Sequence, residues 1–484
     1  MGKVYLIGGG PGSPDLITLR AIKVLRECTA ILYDRLSGSE ILKYVNRDAK
    51  LYYCGKEPGC HYKTQEEIND TLVKLAKEGH IVGRIKGGDP YIFGRGGEEA
   101  LALIDENIDF EVVPGITSPI AALNYGGIPV THRKIAQSFH VFTAKSAAGL
   151  NLDFETIAKL KGTLIFMMGY EQLGGICNGL ITAGLGEETP VALVMSGTTS
   201  NQKKAVGTLK VITEIAKEEG ISNPSIIVVG EVVKFNDKLN WFEKLPLFGR
   251  NICITRSKAQ GREIIDELSK LGASVTEINS IAIEPNPESI KAIENKLEDY
   301  KYILLTSING VEMLFNALYH NSIDIRKIKG EFVSIGDATT KALKGKGIIP
   351  TLTAEEFTGE GLFKAIELKV SSGDKILIPR SKKGRDYIVN ELRNIGAEVD
   401  DIPVYDTVIG KNPNLVSFDN CDTVVFTSPS TVENMITLVG IDKVKEKSII
   451  SIGPITSKAL NIHQLSYTQC DKIGTQGIID TLIK

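Results

Sequence analysis

The chain has 484 residues, 42% hydrophobic and 24% charged; this is an ordinary globular balance that predicts roughly three compact units at about 150 residues each. A net charge of −3 excludes a general attraction for nucleic acid or an anionic membrane, so an acidic ligand must be met by local clusters of cations. No apolar run approaches the roughly 20 residues of a membrane span, MGKVYLIGGG lacks the pattern of a secretory leader, and seven scattered cysteines without CxxC pairs read as reduced thiols, which together predict a cytoplasmic protein.

Apolar β-branched runs alternate with amphipathic stretches, which predicts α/β layers. The strand Val4–Ile7 runs into "GGGPGS", a glycine turn where backbone can approach a ligand. A helix follows, capped at Asp15 or Thr18, and then a second strand, Ala30–Tyr33, ending at Asp34. A dinucleotide loop would need a third glycine where Ser13 stands, and Pro11 and Pro14 remove N–H donors that a pyrophosphate requires, so the NAD reading fits poorly. Cys54, Cys60 and His61 lie close together, but no second ligand pair follows, so an ordinary loop and no metal are expected. "GRIKGGDPYIFGRGGEEA" (83–100) holds six glycines between 83 and 97, Gly87 and Gly88 directly after another strand, and "VVPGITSPIAAL" (112–123) repeats strand, turn and helix start, with Thr117 and Ser118 as caps. "GGIPVTHR" (126–133) adds Thr131, His132 and Arg133, read as a third loop of this kind. Such loops at strand carboxyl ends converge on one edge of an open sheet, where α/β proteins bind ligands.

A boundary is expected at "WFEKLPLFGR" (241–250), giving domains 1–245 and 250–484. The second half is an internal duplication: 252–275 aligns with 376–399, 302–314 with 423–435, and 333–343 with 450–460. Copies near 252–370 and 376–484 are therefore expected to form two parallel-sheet lobes with a ligand cleft between them.

The motifs GxGPG, "YDRL", "GK" before "HYKTQEEIN", "KGGDPYIFGRGGEE", "VPGITS" and "GIPVTHR" make residues 1–245 resemble the tetrapyrrole methyltransferase family, in its uroporphyrinogen-III C-methyltransferase branch. "FTSPS" and "SIGPITSKAL", with the duplication, make 250–484 resemble uroporphyrinogen-III synthase. Together the chain resembles the bifunctional fusion of the two. That resemblance implies a two-lobed methyltransferase domain, S-adenosylmethionine as methyl donor, two methylations of uroporphyrinogen III to precorrin-2, and a route to sirohaem or cobalamin. It also implies a homodimer through the methyltransferase half. The alternative is a methyltransferase whose second half binds tetrapyrrole without catalysis.

The resemblance assigns Asp34 as base and Lys56 as acid. It places Pro11, Gly87, Gly88, Asp89, Ile92, Thr117, Ser118, Met168 and Gly197 on donor-binding positions. A polycarboxylate substrate calls for cations, with Arg35, Arg95, Arg133 and Lys134 as candidates beside Lys56. Two departures touch substrate contacts: Glu57 replaces a common basic residue, and "FTAKSAAG" (142–149) lacks a common Gly-His. In the second half, Tyr405 is implied as proton donor to a leaving hydroxyl. Thr306, Ser307, Thr339, Ser428 and Thr456 are hydroxyls at helix starts, either propionate ligands or simple caps. "RSKKGR" (380–385) is an anion site or a solvated loop.

Overall fold

The computed structural model describes residues 2–34, 39–46, 48–55, 64–144, 150–255, 258–410 and 415–484. The first sheet is wholly parallel, in the order Lys50–Tyr53, Ala30–Tyr33, Ile81–Lys86, Lys3–Gly8, Phe110–Val113. The strand Lys3–Gly8, inside this sheet, is apolar on both faces from Val4 to Ile7 because both are covered. Val4 and Leu6 pack into one core with Leu32, Val82 and Leu103, while Tyr5 and Ile7 pack into another with Val24, Leu25 and Ile31. Burying a side chain such as Leu6 stabilises the fold by about 1.5–3 kcal/mol. The helix after the opening loop, Leu19–Glu27, starts at Thr18, whose Oγ1 accepts the N–H of Ala21 at 3.2 Å.

This strand order sets the carboxyl ends of Ile81–Lys86, Lys3–Gly8 and Phe110–Val113 side by side, so the loops that follow them meet. They meet backbone to backbone. The N–H of Gly10 donates to Gly88 O at 3.2 Å, and the N–H of Gly88 donates back to Gly10 O at 2.7 Å. A Cβ on Gly8 would lie 2.4 Å from Gly115 N, and one on Gly115 would lie 2.2 Å from Gly88 O. Several glycines therefore serve contact between loops in addition to any ligand. The segment 126–133 is not a loop of this kind, since it follows the helix Ser118–Tyr125 and not a strand.

The second sheet is mixed, in the order Phe139–Thr143, Thr163–Met167, Ser225–Val229, Pro190–Met195, Lys203–Thr208, with only the first pair parallel. The 241–250 segment falls between sheets and is packed on both sides. Phe242 stacks edge-on against Tyr125 at 4.7 Å, and Leu247 is buried with Ile252, Ile264 and Val425.

Two further sheets are built beyond residue 250. The first is parallel throughout, in the order Ser274–Glu277, Asn251–Ile254, Thr423–Phe426, Ser448–Ser451, Thr468–Gln469. The other runs Ile281–Pro285, Glu398–Ile409, Lys375–Ser381, Tyr302–Leu305, Glu331–Ser334, Leu352–Thr353, antiparallel only at its first pair. The duplicated copies are thus not the lobes, contrary to the expectation from the repeat. Each copy leaves its opening strand–helix–strand in one sheet and contributes its remaining strands to the other, so each sheet combines the front of one copy with the back of its twin. By contacts the chain forms two compact units, one of Met1–Ile278, Asn414–Val432 and Val439–Lys484, the other of Asn279–Pro413 and Glu433–Leu438.

Gly115→Ala places a methyl group against the Gly88 carbonyl, which must move. We expect a loss of about 1–3 kcal/mol in urea unfolding, the usual cost of overpacking. An unchanged midpoint would show that the loops are not in obligatory contact.

Candidate active site

A cavity of about 2130 Å³ opens at the carboxyl edge of the first sheet. It is roughly twice the upper end of the range for pockets that hold one small ligand, and its lining runs on to Asn251, Ser274 and Asn420 beyond residue 250. Pro11, Asp34, Gly87, Gly88, Ile92, Arg95, Ser118, Met168 and Gly197 all line it, bringing together most of the residues picked out in the sequence. Ile92, Phe93, Met168 and Trp241 line it too and are between 41% and 50% exposed. Large apolar side chains left open around one cleft mark a surface for an apolar or flat ligand face. Phe93 and Met168 are both held at φ 53°, a left-handed conformation that strains a residue with a side chain.

Four of the residues picked out in the sequence stand apart from the cavity lining. Asp89 ties loops together, its Oδ2 accepting the N–H of Gly115 at 3.0 Å and its Oδ1 that of Tyr91 at 2.9 Å. Thr117 occupies the N-cap position of Ser118–Tyr125 without a side-chain capping bond. Arg133 and Lys134 are exposed and lie outside the cavity lining. Arg35 and Lys56 fall outside the described residues, as do Cys60 and His61.

The electrostatic centre of the cleft lies in residues that sequence reasoning missed. Arg84 and Lys86 sit two apart on Ile81–Lys86 and so share a face of a strand that is otherwise apolar. Both side chains are only 5% exposed, and Glu99, on the helix Gly96–Asp105, is fully buried between them. Glu99 Oε1 accepts from Lys86 Nζ at 2.8 Å, Arg84 Nε at 3.2 Å and Gln65 Nε2 at 3.3 Å. Gln65 is delivered by the first turn of Gln65–Lys77, which a reciprocal Thr64–Glu67 capping box anchors. The far side of the Arg84 guanidinium donates from Nη1 and Nη2 to Asp34 Oδ2, each at 3.3 Å. Two cations and two carboxylates thus neutralise one another; Arg84, Lys86 and Asp34 all line the cleft, and Asp34 is the most exposed of the four, its side chain 26% exposed. The signal was available in the sequence: two basic residues on one face of a buried parallel strand need buried carboxylates.

Arg95 caps Gly96–Asp105 at φ 60° and pairs with Glu98 at 2.6 Å while lining the cleft.

In the second unit, Tyr405 lies on Glu398–Ile409, almost wholly buried, with its hydroxyl 3.2 Å from Ser307 Oγ. Burial pushes the phenol above its ordinary range and the Ser307 bond opposes that, so it keeps its proton at neutral pH. Ser307 also caps Ile308–His320 by accepting the N–H of Gly310, and Thr306 precedes it, half-buried. Thr339 is 3% exposed inside a helix. In the first unit, Ser428 Oγ accepts the N–H of Thr431 at 3.3 Å, and Thr456 is 3% exposed. Arg380, read as part of an anion site or a solvated loop, is neither: it is buried and bonded to Asp401, Asp386 and the Arg385 carbonyl.

Residues 3–213 match the family described as Tetrapyrrole (Corrin/Porphyrin) Methylases, and residues 262–480 match Uroporphyrinogen-III synthase HemD. The chain is 39% identical to the porphyrin biosynthesis protein HemD of Ruminiclostridium josui, over 100% of this chain and 98% of that one. Its first half is 52% identical to a uroporphyrinogen-III C-methyltransferase of Priestia megaterium, over 49% of this chain and 100% of the relative. Among solved structures, a uroporphyrin-III-C-methyltransferase from Thermus thermophilus is 38% identical, covering 50% of this chain and 97% of that one, with a TM-score of 0.43.

Burial pushes the Lys86 ammonium below its ordinary value near 10.5; the charge of Arg84 adds to this and Glu99 opposes it. Between the lowered value and 10.5 the unfolded chain binds a proton that the folded chain lacks, so this group makes stability rise with pH in the alkaline range. Lys86→Met is expected to flatten that rise in urea midpoints compared from about pH 7 to about pH 10. An identical slope in the variant would exclude Lys86 as its source.

Proposed function

Because the chain belongs to the family that joins a tetrapyrrole methylase to a uroporphyrinogen-III synthase, we propose that it closes hydroxymethylbilane to uroporphyrinogen III and methylates that product twice to precorrin-2, on the way to sirohaem or cobalamin. The observation that carries the methylation reading is the cleft itself. Asp34, clamped by Arg84, faces the cavity, with glycine loops and open apolar side chains on its walls.

The walls fit S-adenosylmethionine. Pro11, Gly87, Gly88, Ser118 and Gly197 bring main chain and a hydroxyl to the cavity, and Ile92 and Met168 present apolar surface for a flat base. Asp89 and Thr117 support this wall from behind, with Asp89 joining two of its loops. When bound, the donor supplies an electrophilic methyl group. The chain holds the two reactants in line and manages the proton. Asp34 is oriented by Arg84 and takes the proton lost as a pyrrole carbon is alkylated. Lys56 is the matching acid, and Arg35 and Arg95 meet substrate carboxylates. In ring closure, the Tyr405 phenol passes its proton to the departing hydroxyl, which leaves as water, while Ser307 fixes the phenol.

Supplied with hydroxymethylbilane and S-adenosylmethionine, the protein should yield precorrin-2. Asp34→Asn should lower methylation about 10²–10⁴-fold and leave type III closure intact. Absence of methylated product from the wild type, or loss of both activities in a folded variant, would overturn the reading. No helix among the described residues is long and apolar enough to cross a membrane, and we read the chain as cytoplasmic. We also read it as a homodimer through the methylase half, so light scattering should return twice the chain mass of 52.6 kDa; a mass of one chain would refute that.

A further inference from the structure

The loop 196–202 carries Gly197 into the donor cleft in a conformation that must be held. Ser196 and Thr198, on either side of Gly197, adopt φ 49° and 72°. Side chains rarely tolerate such backbone unless their surroundings over-determine it. One brace comes from the methylase half. Thr198 Oγ1 accepts the N–H of Ser13 in the opening glycine loop at 3.1 Å. Gln202, almost fully buried, accepts the Thr198 N–H at 3.0 Å and donates to the Tyr125 carbonyl at 3.2 Å and Glu243 at 2.8 Å.

The other brace comes from beyond residue 250. Ser200 N donates to Ser274 Oγ at 3.0 Å, Ser200 Oγ donates to Asn251 Oδ1 at 2.8 Å, and Asn251 Nδ2 donates to Asn201 Oδ1 at 2.9 Å. Ser200 is 4% exposed, so water competes poorly for its two bonds. Asn251 and Ser274 each open a strand of the parallel sheet that contains Thr423–Phe426, and both line the same cavity as Gly197. The sheet they belong to thereby supports the cleft wall of the other half.

We propose that Asn251 and Ser274 are positioning residues for the methyl donor. They hold loop 196–202 in its strained form, so the affinity of the N-terminal site for its donor is set in part by the synthase half. This rests on the reading of Gly197 as part of the donor site.

The test uses the full chain with Asn251→Ala, Ser274→Ala and their combination. Steady-state methylation of uroporphyrinogen III is measured alongside calorimetric binding of S-adenosylhomocysteine and the rate of ring closure. The double variant should raise the donor KM and the S-adenosylhomocysteine Kd about five- to tenfold, with kcat changed less than about twofold and ring closure unaffected. Ser274→Thr, which keeps the hydroxyl, should restore the values of Ser274. Unchanged KM and Kd in a double variant that still closes the ring would overturn the proposal. So would a parallel fall in both activities, the mark of a general loss of structure. A wild-type chain that binds no S-adenosylhomocysteine would refute the donor site itself, and that outcome is separable from the others.

Discussion

The first half of this molecule depends on how closely three backbones approach one another. Gly8, Gly88 and Gly115 follow or end neighbouring parallel strands; at Gly8 and Gly115 a single added carbon would meet main chain within 2.5 Å, and Gly88 adopts φ 68°. Without side chains between them, loops from distant parts of the sequence come into direct hydrogen-bonding distance, as Gly10 and Gly88 do. A close-packed rim of this kind has few ways to relax, so the residues it carries are placed with little freedom. Asp34, Ser118 and the main chain of Gly87 stand around the cleft because this rim is tight.

Beneath the rim lies a charge arrangement that explains why the same sheet edge tolerates ionised groups at all. Four side chains, two of each sign, pair with one another, and the most exposed of them at the cleft is the Asp34 carboxylate. Arg84 holds the Asp34 carboxylate through two hydrogen bonds. Removing any partner leaves an uncompensated charge, which costs more than the pair contributes. The network therefore fixes the carboxylate at this place.

Much of this was legible in the sequence. Alternation of apolar runs with amphipathic ones gave the α/β class, Thr18 marked a helix start, and the spacing of the glycine loops located the cleft. The charge network was missed because Arg84, Lys86 and Glu99 look like solvated residues until strand pairing buries them. Asp89 was placed in the donor site by the family resemblance, and its bonds to Gly115 and Tyr91 were not legible because a loop carboxylate offers no sign of which backbone N–H it will accept. The segment 126–133 was misplaced because its glycines and proline follow a helix as readily as a strand. The lobes of the second half were misassigned for a different reason. A repeat records the order of strands along the chain, whereas a sheet records which strands pair, and parallel pairing can bring together strands far apart in sequence. The comparisons with known proteins give the family, and the arrangement of the lobes comes from the fold alone.

That interleaving has a consequence for how the protein is made. Asn251–Ile254 sits between Ser274–Glu277 and Thr423–Phe426, so its second neighbour leaves the ribosome roughly 150 residues after its first, a wait of roughly 10–30 s at about 5–20 residues per second. Through that interval the growing chain carries an apolar strand, NICI, with one open edge, while the other unit is synthesised as far as Pro413. The methylase half is complete by then, but the strands that brace its donor loop belong to a sheet still lacking its centre. Synthesis order therefore makes the first half to emerge wait for the last strands before its support is finished.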